Sequence, residues 1–377
     1  MLNDLLEFIQ KSENITQRLA EETAEWQTKD EKNQVYLYGG GALLQNYFRY
    51  LSKYNIKITA ILDTFKDGEY RGIPVCRYDR FLNEAPSERH CRFFVSSTAY
   101  AKEIVETLEK NFPRENIYVV DTAFQLGTEE MSLQEYRDYL TSNWKEITVL
   151  FSELADEKSK ETLINVLREH VTGNTDYMWD TLDPDLTYSR DVITFTGNEV
   201  FVEPGAFYGD NFLDFVNCCP QYKAAYLFEP ESSLQGRLHE IAEHEKAKGK
   251  AVHVIQKGVW DSETTLDFFS TGQGTGSFVL PPEHGEIVPI PTTTLDKAVP
   301  EHFTYLKMDI EGSELHALMG ASKHIQVSPA PKMAICVYHK MTDLLDIWHY
   351  LRSLVPGYRF YLRNHTLIWD DVILYAI

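Results

Sequence analysis

Three carboxylates in the second half of the chain each stand where a short apolar run ends. The runs are VFV, AAYLF and YLKM, and the residues that follow them are Glu203, Glu229 and Asp309. Short apolar runs of this kind predict buried strands of an open α/β sheet, whose ligand crevice lies along the strand ends. Carboxylates along that edge suit a cofactor with a ribose and a positive charge better than one with phosphates.

The first of these carboxylates opens a glycine-containing turn, EPGAFYG at 203–209. Gly205 and Gly209 let the backbone turn sharply and approach a ligand closely. The spacing is not G-x-G-x-x-G and an acid precedes it, so a pyrophosphate fits poorly. Glu203 could instead meet the ammonium or sulfonium side of a cofactor that carries an amino acid. A tight structural turn with a solvated glutamate is the alternative.

Glu229 follows the second run, and its two acceptor oxygens lie side by side, which suits a pair of ribose hydroxyls. Acids often follow strands, however, so Glu229 alone is a weak signal. Combined with the glycine turn it favours a nucleoside site.

A third group of polar residues surrounds the YLKM run. Asp309 and Glu311 close that strand, whereas Glu314 begins a helix. An acid in the first turn of a helix interacts favourably with the helix dipole, so a structural role is favoured for Glu314. His339 ends the run AICVY, and a neutral imidazole suits taking a proton from a hydroxyl, although a surface histidine is as probable from position alone. Asp309 and Glu311 could hold magnesium. The sequence indicates no third ligand, so no metal is predicted.

The surrounding elements predict two α/β domains. We expect a helical N-terminal segment at 1–34, a small parallel doubly wound domain at 35–125, a helical connector and lid at 126–198, and a second α/β domain at 199–377. In the last domain, seven strands are predicted at 200–202, 225–228, 252–255, 305–308, 333–337, 358–362 and 372–376. Nine residues separate the last two, too few for a helical crossover, so an antiparallel pair is expected.

Two glycine-rich segments leave alternatives open. Gly39, Gly40 and Gly41 follow the first strand, with Asp63 beyond them, but Leu44 stands where a third glycine would approach a phosphate. Nucleotide binding and a purely structural turn both remain possible readings there. The segment GQGTGS at 272–277 is a candidate loop that closes over an acceptor, or an ordinary surface hairpin.

Charge and composition limit the partners. A net charge of −21, from 36 basic and 57 acidic residues, repels nucleic acid and anionic membranes, so neither is expected as a partner. No signal-peptide core or long uncharged apolar run is present, which predicts no membrane span and a cytoplasmic location. Five cysteines without a C-x-x-C pair indicate neither a disulfide framework nor a zinc site.

Taken together, these segments resemble the FkbM family of S-adenosylmethionine-dependent methyltransferases. The resemblance runs from about Asp176 to the C-terminus, through VFVEPGAFYGDNF, YLFEP, YLKMDIEGSELHALMGA, PKMAICVYHKMTDL and YRFYLRNH, with ILYA at the end. The order and spacing of several blocks make it specific. The N-terminal domain is similar, more weakly, to small Rossmann-like modules of sugar-modifying proteins.

The resemblance implies a class I methyltransferase fold. This is a Rossmann-like seven-stranded sheet with its last strand antiparallel, here preceded by a smaller doubly wound α/β domain. It also implies S-adenosyl-L-methionine as the cofactor. The residues carried over by position are Glu203, Gly205 and Gly209 at the methionine part, Glu229 at the ribose, Gly258, Val259 and Trp260 near the adenine, Asp309 between cofactor and acceptor, and Ala206 and Pro230 beside these.

Family members typically methylate hydroxyl groups, often on sugars or glycoconjugates. We therefore expect an O-methyltransferase with a small-molecule or glycan acceptor, His339 as the first choice of base and Asp309 as the second, and a homodimer is possible. The alternative is a non-catalytic methyltransferase-like binding or assembly protein, because Glu203 and Pro204 replace the Asp that usually precedes the family's glycine.

Overall fold

The computed structural model describes residues 2–41, 43–97, 100–127, 130–183, 185, 188–270, 286–368 and 371–377. The chain forms two compact units. The first unit comprises 1–145, 161–182 and 364–370, and the second comprises 146–160, 183–363 and 371–377. The segment predicted as a connector therefore contributes to both units.

Strands and helices alternate through most of the chain. The strands are β1 Gln34–Tyr38, β2 Ile58–Asp63, β3 Gly68–Tyr70, β4 Ile73–Arg77, β5 Cys91–Val95, β6 Ile117–Tyr118, β7 Val200–Pro204, β8 Ala224–Phe228, β9 Ala251–Ile255, β10 Gly258–Val259, β11 Thr265–Ser270, β12 Glu286–Thr293, β13 Tyr305–Met308, β14 Lys332–Cys336, β15 Phe360–Asn364 and β16 Val372–Ala376. The helices are α1 Leu2–Lys11, α2 Ile15–Lys29, α3 Leu44–Lys53, α4 Tyr78–Glu84, α5 Ala101–Leu108, α6 Ala123–Leu126, α7 Leu133–Ser142, α8 Trp144–Glu153, α9 Glu157–Thr172, α10 Asp210–Cys218, α11 Gln235–Ala247, α12 Leu295–Ala298, α13 Glu314–Met319, α14 Ser322–Ile325 and α15 Asp343–Leu354.

The first unit contains a six-stranded sheet in the order β3-β4-β2-β1-β5-β6. β1 pairs in parallel with β2 on one side and with β5 on the other, so the sheet is doubly wound as predicted. Helix α3 follows β1 and buries one face, formed by Leu44, Tyr47, Tyr50 and Leu51. An antiparallel edge pair, β3 with β4, was not predicted, because β3 has only three residues and none of them is buried.

The second unit contains a seven-stranded sheet in the order β15-β16-β14-β13-β7-β8-β9. All seven predicted strands are present, and β16 pairs antiparallel with β14, which confirms the predicted fold class. β7, β8, β13 and β16 are buried along their whole length, as expected for strands covered on both faces. Phe201 stacks on Phe215 of α10, with ring centroids 4.2 Å apart, at the centre of this core.

A three-stranded sheet in the order β10-β12-β11 accompanies the larger one and was not predicted. β10 has two residues, and β12 contains Pro289 and Pro291, which remove ladder donors and mask the strand pattern. The candidate loop at 272–277 lies outside the described residues. None of the described helices is long and apolar enough to cross a membrane.

Candidate active site

A cavity of about 230 Å³ lies at the carboxyl ends of β7, β8, β13 and β14 in the second unit. Because neighbouring parallel strands end at the same edge, residues distant in sequence meet there. The side chains and backbone that line it are Pro204, Gly205, Phe207, Asn211, Phe228, Glu229, Pro230, Lys257, Gly258, Val259, Phe268, Asp309, Ile310, Glu311, Ser313 and Tyr338. Five of the residues predicted to bind cofactor, together with Asp309, are among them.

The turn after β7 depends on glycine at one position above all. Gly205 has φ +79°, and a Cβ atom built there would lie 1.8 Å from the backbone oxygen of Asp309. Its N–H and that of Ala206 both donate to the carbonyl of Phe228, at 2.9 and 3.0 Å. The turn is thereby fixed to β8 on one side and packed against the β13 turn on the other. Gly205 lines the cavity, whereas Ala206 and Gly209 lie outside the lining.

Glu229 lines the cavity and is tied to two backbone amides. Its Oε2 accepts from the N–H of Phe207 at 3.0 Å, and its Oε1 accepts from the N–H of Glu231 at 2.8 Å. Burial raises the pKa of Glu229 to about 7, against the lowering effect of these two hydrogen bonds. Each oxygen retains a second lone pair, so the fixed carboxylate can still accept from ligand hydroxyls.

Glu203 is buried behind the turn and does not line the cavity. Its side chain is 1% exposed. Burial raises the pKa of Glu203 to about 8, and the nearby Lys307 ammonium opposes that rise. The prediction that Glu203 contacts the methionine part of a cofactor stays a prediction, since the surface that faces the cavity here belongs to Pro204 and Gly205.

Two of the three residues expected near an adenine line the cavity, and the third does not. Gly258 and Val259 line the cavity together with Phe268 of β11. Trp260 lies outside the lining and stacks on His316, with ring centroids 3.9 Å apart and an interplanar angle of 12°. The apolar wall therefore consists of Val259 and Phe268 rather than of the predicted indole.

Asp309 is the charged group at the centre of the site. Burial acts to raise its pKa, but Lys307 and His339 together hold the pKa of this carboxyl well below its usual range. The Lys307 Nζ atom is 3.9 Å from Oδ2, and the Tyr338 hydroxyl donates to Oδ1 at 3.3 Å. Asp309 therefore stays ionised, which makes it a good acceptor of hydrogen bonds and a weak proton acceptor.

His339 lies immediately behind Asp309, with carboxylates at both ring nitrogens. Nε2 is 3.3 Å from Asp309 and 3.6 Å from Glu311, and Nδ1 is 3.0 Å from Glu314. Burial acts to lower the pKa of His339, but Glu314 first and Asp309 next raise it well above its ordinary value. The ring is 6% exposed and belongs to the cluster without lining the cavity itself.

Asp309, Glu314 and His339 are a set whose ligand atoms lie within 4.8 Å of one another, a separation at which a metal ion could be held. The two carboxylates, however, approach opposite nitrogens of the ring. A metal binds one imidazole nitrogen and needs its other ligands on that side. The two carboxylates therefore flank the ring at opposite nitrogens rather than converging on one, and we assign no metal.

Several site residues were missed from the sequence. Phe207, Asn211, Phe268 and Tyr338 line the cavity, and Glu314 was interpreted as structural. Tyr338 directly precedes His339, so its position at the strand end was a usable signal. Phe268 offered none, because β11 belongs to the sheet that the sequence did not reveal.

Comparison with known proteins agrees with this geometry. Residues 203–360 match the family model for the methyltransferase FkbM domain. Among solved structures, methyltransferase FkbM from Methylobacillus flagellatus KT is 22% identical, with a TM-score of 0.65 over 96% of this chain and 99% of that one. An rRNA methylase from Streptococcus thermophilus is 13% identical, with a TM-score of 0.31 over 48% of this chain and 86% of that one. No curated protein matches significantly.

Proposed function

We propose that the chain is an S-adenosylmethionine-dependent O-methyltransferase that acts on a hydroxyl of a sugar or glycoconjugate, because residues 203–360 match the family model for the methyltransferase FkbM domain. The observation that carries this proposal is the single cavity edge at which Gly205, Glu229 and Asp309 meet. A backbone turn, a ribose-type acceptor and an ionised carboxylate stand there side by side.

The lining suits this cofactor chemically. Val259 and Phe268 offer an apolar wall to an adenine, and the carboxylate of Glu229 offers acceptors to ribose hydroxyls. Pro204 and Gly205 also line the cavity and are available to the rest of the cofactor. When bound, the cofactor supplies an electrophilic methyl group on a sulfonium sulfur.

The protein's contribution to such a transfer is mainly alignment. Holding the acceptor hydroxyl in line with the methyl group can lower the activation free energy by roughly 7–11 kcal/mol. Asp309 and Glu311 both line the cavity and can accept hydrogen bonds from adjacent hydroxyls of one acceptor. A polyhydroxylated molecule such as a sugar satisfies two such acceptors at once, which favours a sugar over a lone alcohol.

The acceptor proton requires a base, and His339 is our first choice. Its Nε2 atom is directed at Asp309, which lies between the ring and the cavity. The carboxylates around His339 raise the pKa of its ring well above the ordinary value, which makes the ring a stronger base. Asp309, with its lowered pKa, is better suited to orienting the hydroxyl than to removing its proton.

Calorimetric titration with S-adenosylmethionine and S-adenosylhomocysteine tests the cofactor assignment. Binding of both, with micromolar or tighter affinity, is expected, and absence of heat with either ligand would end the enzyme proposal. The acceptor can then be sought with methyl-labelled cofactor and panels of free sugars and cell-extract glycans. The acidic character of the chain, −21 overall, argues for an uncharged or cationic acceptor rather than a nucleic acid.

A second candidate is a non-catalytic binding or assembly protein that keeps the fold and the pocket. The burial of Glu203 behind Pro204, away from the cavity, is the observation in its favour. Cofactor binding without methyl transfer to any hydroxylated acceptor, and without slow hydrolysis of the cofactor, would favour this candidate.

A further inference from the structure

We propose that the aromatic ring of Phe207 faces the sulfonium of the bound cofactor and favours this cation over the neutral product of the reaction. The ligand chemistry that Phe207 recognises is thus a compact organic cation. This role rests on the proposed function, because the cation is the sulfonium of S-adenosylmethionine. The sequence did not indicate any part for Phe207 in the site.

The backbone of Phe207 is strained. Among the described residues, four that are not glycine have a positive φ, and two of these, Phe207 at +48° and Glu311 at +54°, line the cavity. A bulky side chain in this left-handed region is an outlier that costs free energy. Two other residues of the turn at 203–209 have a positive φ, and both are glycines, Gly205 and Gly209. The strain at Phe207 therefore indicates a function of its side chain, since glycine would adopt the same backbone at less cost.

Phe207 lies in the turn after a central strand of the sheet. The strand order β14-β13-β7-β8-β9 places the turn after β7 between Asp309, at the end of β13, and Glu229, at the end of β8. The backbone N–H of Phe207 donates to Oε2 of Glu229 at 3.0 Å, which fixes the residue beside the carboxylate that suits a ribose. In S-adenosylmethionine the sulfur is attached to the ribose and carries the methyl group, so it must lie between the ribose and the acceptor. Phe207 stands between the residues that we assign to these two groups.

The surroundings of Phe207 favour a cation. Three of the residues that line the cavity with it are acids, Glu229, Asp309 and Glu311, and one is a base, Lys257. The face of an aromatic ring attracts a cation that lies within about 6 Å of the ring centre, and the attraction strengthens when water is excluded. An aromatic ring between two carboxylates is therefore suited to a sulfonium.

Calorimetric titration of the full-length chain with S-adenosylmethionine and S-adenosylhomocysteine tests this role. The two ligands share the adenosine and the amino acid, and they differ in the methyl group and the positive charge. Phe207→Leu keeps an apolar side chain but removes the aromatic face. We expect the Kd of this variant for S-adenosylmethionine to rise about 2- to 30-fold, with the Kd for S-adenosylhomocysteine within about twofold of the wild type. Phe207→Tyr, which keeps the ring, should retain the wild-type ratio of the two Kd values.

Two other aromatic residues provide matched controls. Tyr208 is 43% exposed, lies outside the cavity lining and meets the ring of Phe207 edge-on, with ring centroids 4.4 Å apart. Tyr208→Leu should therefore leave the ratio of the two Kd values unchanged. Phe268 lines the cavity at the end that suits an adenine, so Phe268→Leu should weaken both ligands by the same factor. If Phe207→Leu does not fold, Phe207→Asn replaces it, because asparagine tolerates a positive φ.

The outcomes separate the role of Phe207 from the function of the chain. Equal weakening of both ligands in Phe207→Leu would show a general apolar wall and would overturn the proposal. Unchanged affinity for both ligands would overturn it as well. Either result would leave the methyltransferase proposal standing, because the wild type still binds the cofactor. A wild-type chain that binds neither ligand would overturn the methyltransferase proposal, and the role of Phe207 with it.

Discussion

Two turns in this protein share one pattern of backbone hydrogen bonding. Of these two, only the turn in the second unit belongs to a site with a buried cluster of charged residues. In the first unit the N–H of Gly39 donates to the carbonyl of Leu62 at 3.0 Å, and in the second the N–H of Gly205 donates to Phe228 at 2.9 Å. In both cases a glycine directly after one parallel strand donates to a carbonyl at or next to the end of the neighbouring strand. An acid follows directly, Asp63 in one and Glu229 in the other.

The two acids use their oxygens differently. Asp63 accepts from the N–H groups of Phe65 and Lys66, so it stabilises its own loop. Glu229 accepts from Phe207, in the turn of the neighbouring strand, and from Glu231. The second arrangement joins two strand ends around a cavity. A glycine followed by an acid is therefore a weak signal until the hydrogen bonds of the acid are known.

The turn in the second unit also lies beside a cluster of charged residues, whereas the described residues of the first turn do not. Asp309, Glu311 and Glu314 surround His339, and Lys307 lies within 3.9 Å of Asp309. Desolvated charges of this kind are costly unless they are paired, and they occur where a function requires them. Substitutions in both turns therefore test whether this difference in charge and hydrogen bonding reflects a difference in function.

The largest expected effect is on turnover in His339→Gln. Loss of a general base lowers kcat by about 100- to 10,000-fold, whereas cofactor affinity should remain within about twofold because the ring does not line the cavity. Steady-state kinetics and calorimetry measure the two quantities. His349→Gln, a half-exposed histidine paired with Glu146 on α8, is the matched control. Full activity of His339→Gln would shift the proton-accepting role to Asp309 or to water.

Glu203→Gln should make the stability less dependent on pH. Folding raises the pKa of Glu203 from 4.5 to about 8. Between these values the folded chain holds a proton that the unfolded chain has released, so the free energy of unfolding falls as pH rises, by up to about 5 kcal/mol. The variant lacks this term, so its stability relative to the wild type should increase from pH 5 to pH 8 and then level off.

Urea unfolding at several pH values measures that difference. Glu240→Gln on α11, with its side chain 75% exposed, should differ from the wild type by a constant amount. A constant difference for Glu203→Gln as well would mean that this carboxyl is ionised in the folded protein.

The sequence allowed more of the fold to be predicted than of the site. β7, β8, β13 and β14 are short runs of apolar residues that end in polar ones, a pattern that specifies both the strand and its exposed end. Their order in the sheet brings Glu203, Glu229 and Asp309 to one edge. Trp260 and Phe268 illustrate the limit, because which aromatic ring faces the cavity depends on the β10-β12-β11 sheet, whose prolines hide it.

The burial of individual acidic side chains could not be predicted from the sequence either. Glu314 appears in the sequence as an ordinary first-turn acid. Only the folded position of His339, 25 residues later and just beyond the end of β14, makes it a partner. Glu203 was predicted to contact a ligand, and the sequence did not indicate that its side chain is buried and outside the cavity lining. Strand ends can be predicted from periodicity, but the direction of each side chain at those ends depends on packing between elements that are distant in the sequence.

Gly205→Ala and Gly41→Ala compare a crowded glycine of the second turn with an open glycine of the first. A methyl group at 205 would lie 1.8 Å from the oxygen of Asp309 at φ +79°, whereas one at 41 would meet nothing within 4 Å. We expect Gly205→Ala to lose about 1–3 kcal/mol of stability and most of its cofactor affinity. Gly41→Ala should change stability by less than about 1 kcal/mol. Thermal unfolding and calorimetry give both values, and equal losses in the two variants would contradict the distinction between the turns.

The smallest expected effects come from the two acids themselves. Glu229→Ala removes a carboxylate that can accept from ligand hydroxyls, and charged hydrogen bonds of that kind contribute about 1.5–3 kcal/mol, so the Kd for S-adenosylmethionine should rise about 10- to 100-fold. Asp63→Ala removes two bonds within one loop and should cost about 1 kcal/mol of stability without changing that Kd. Calorimetry with both variants tests the comparison on one scale. If Asp63→Ala weakens cofactor binding as much as Glu229→Ala does, the two turns serve one ligand. If neither does, the acid after the strand is structural in both regions, and the cofactor's ribose is held by other groups.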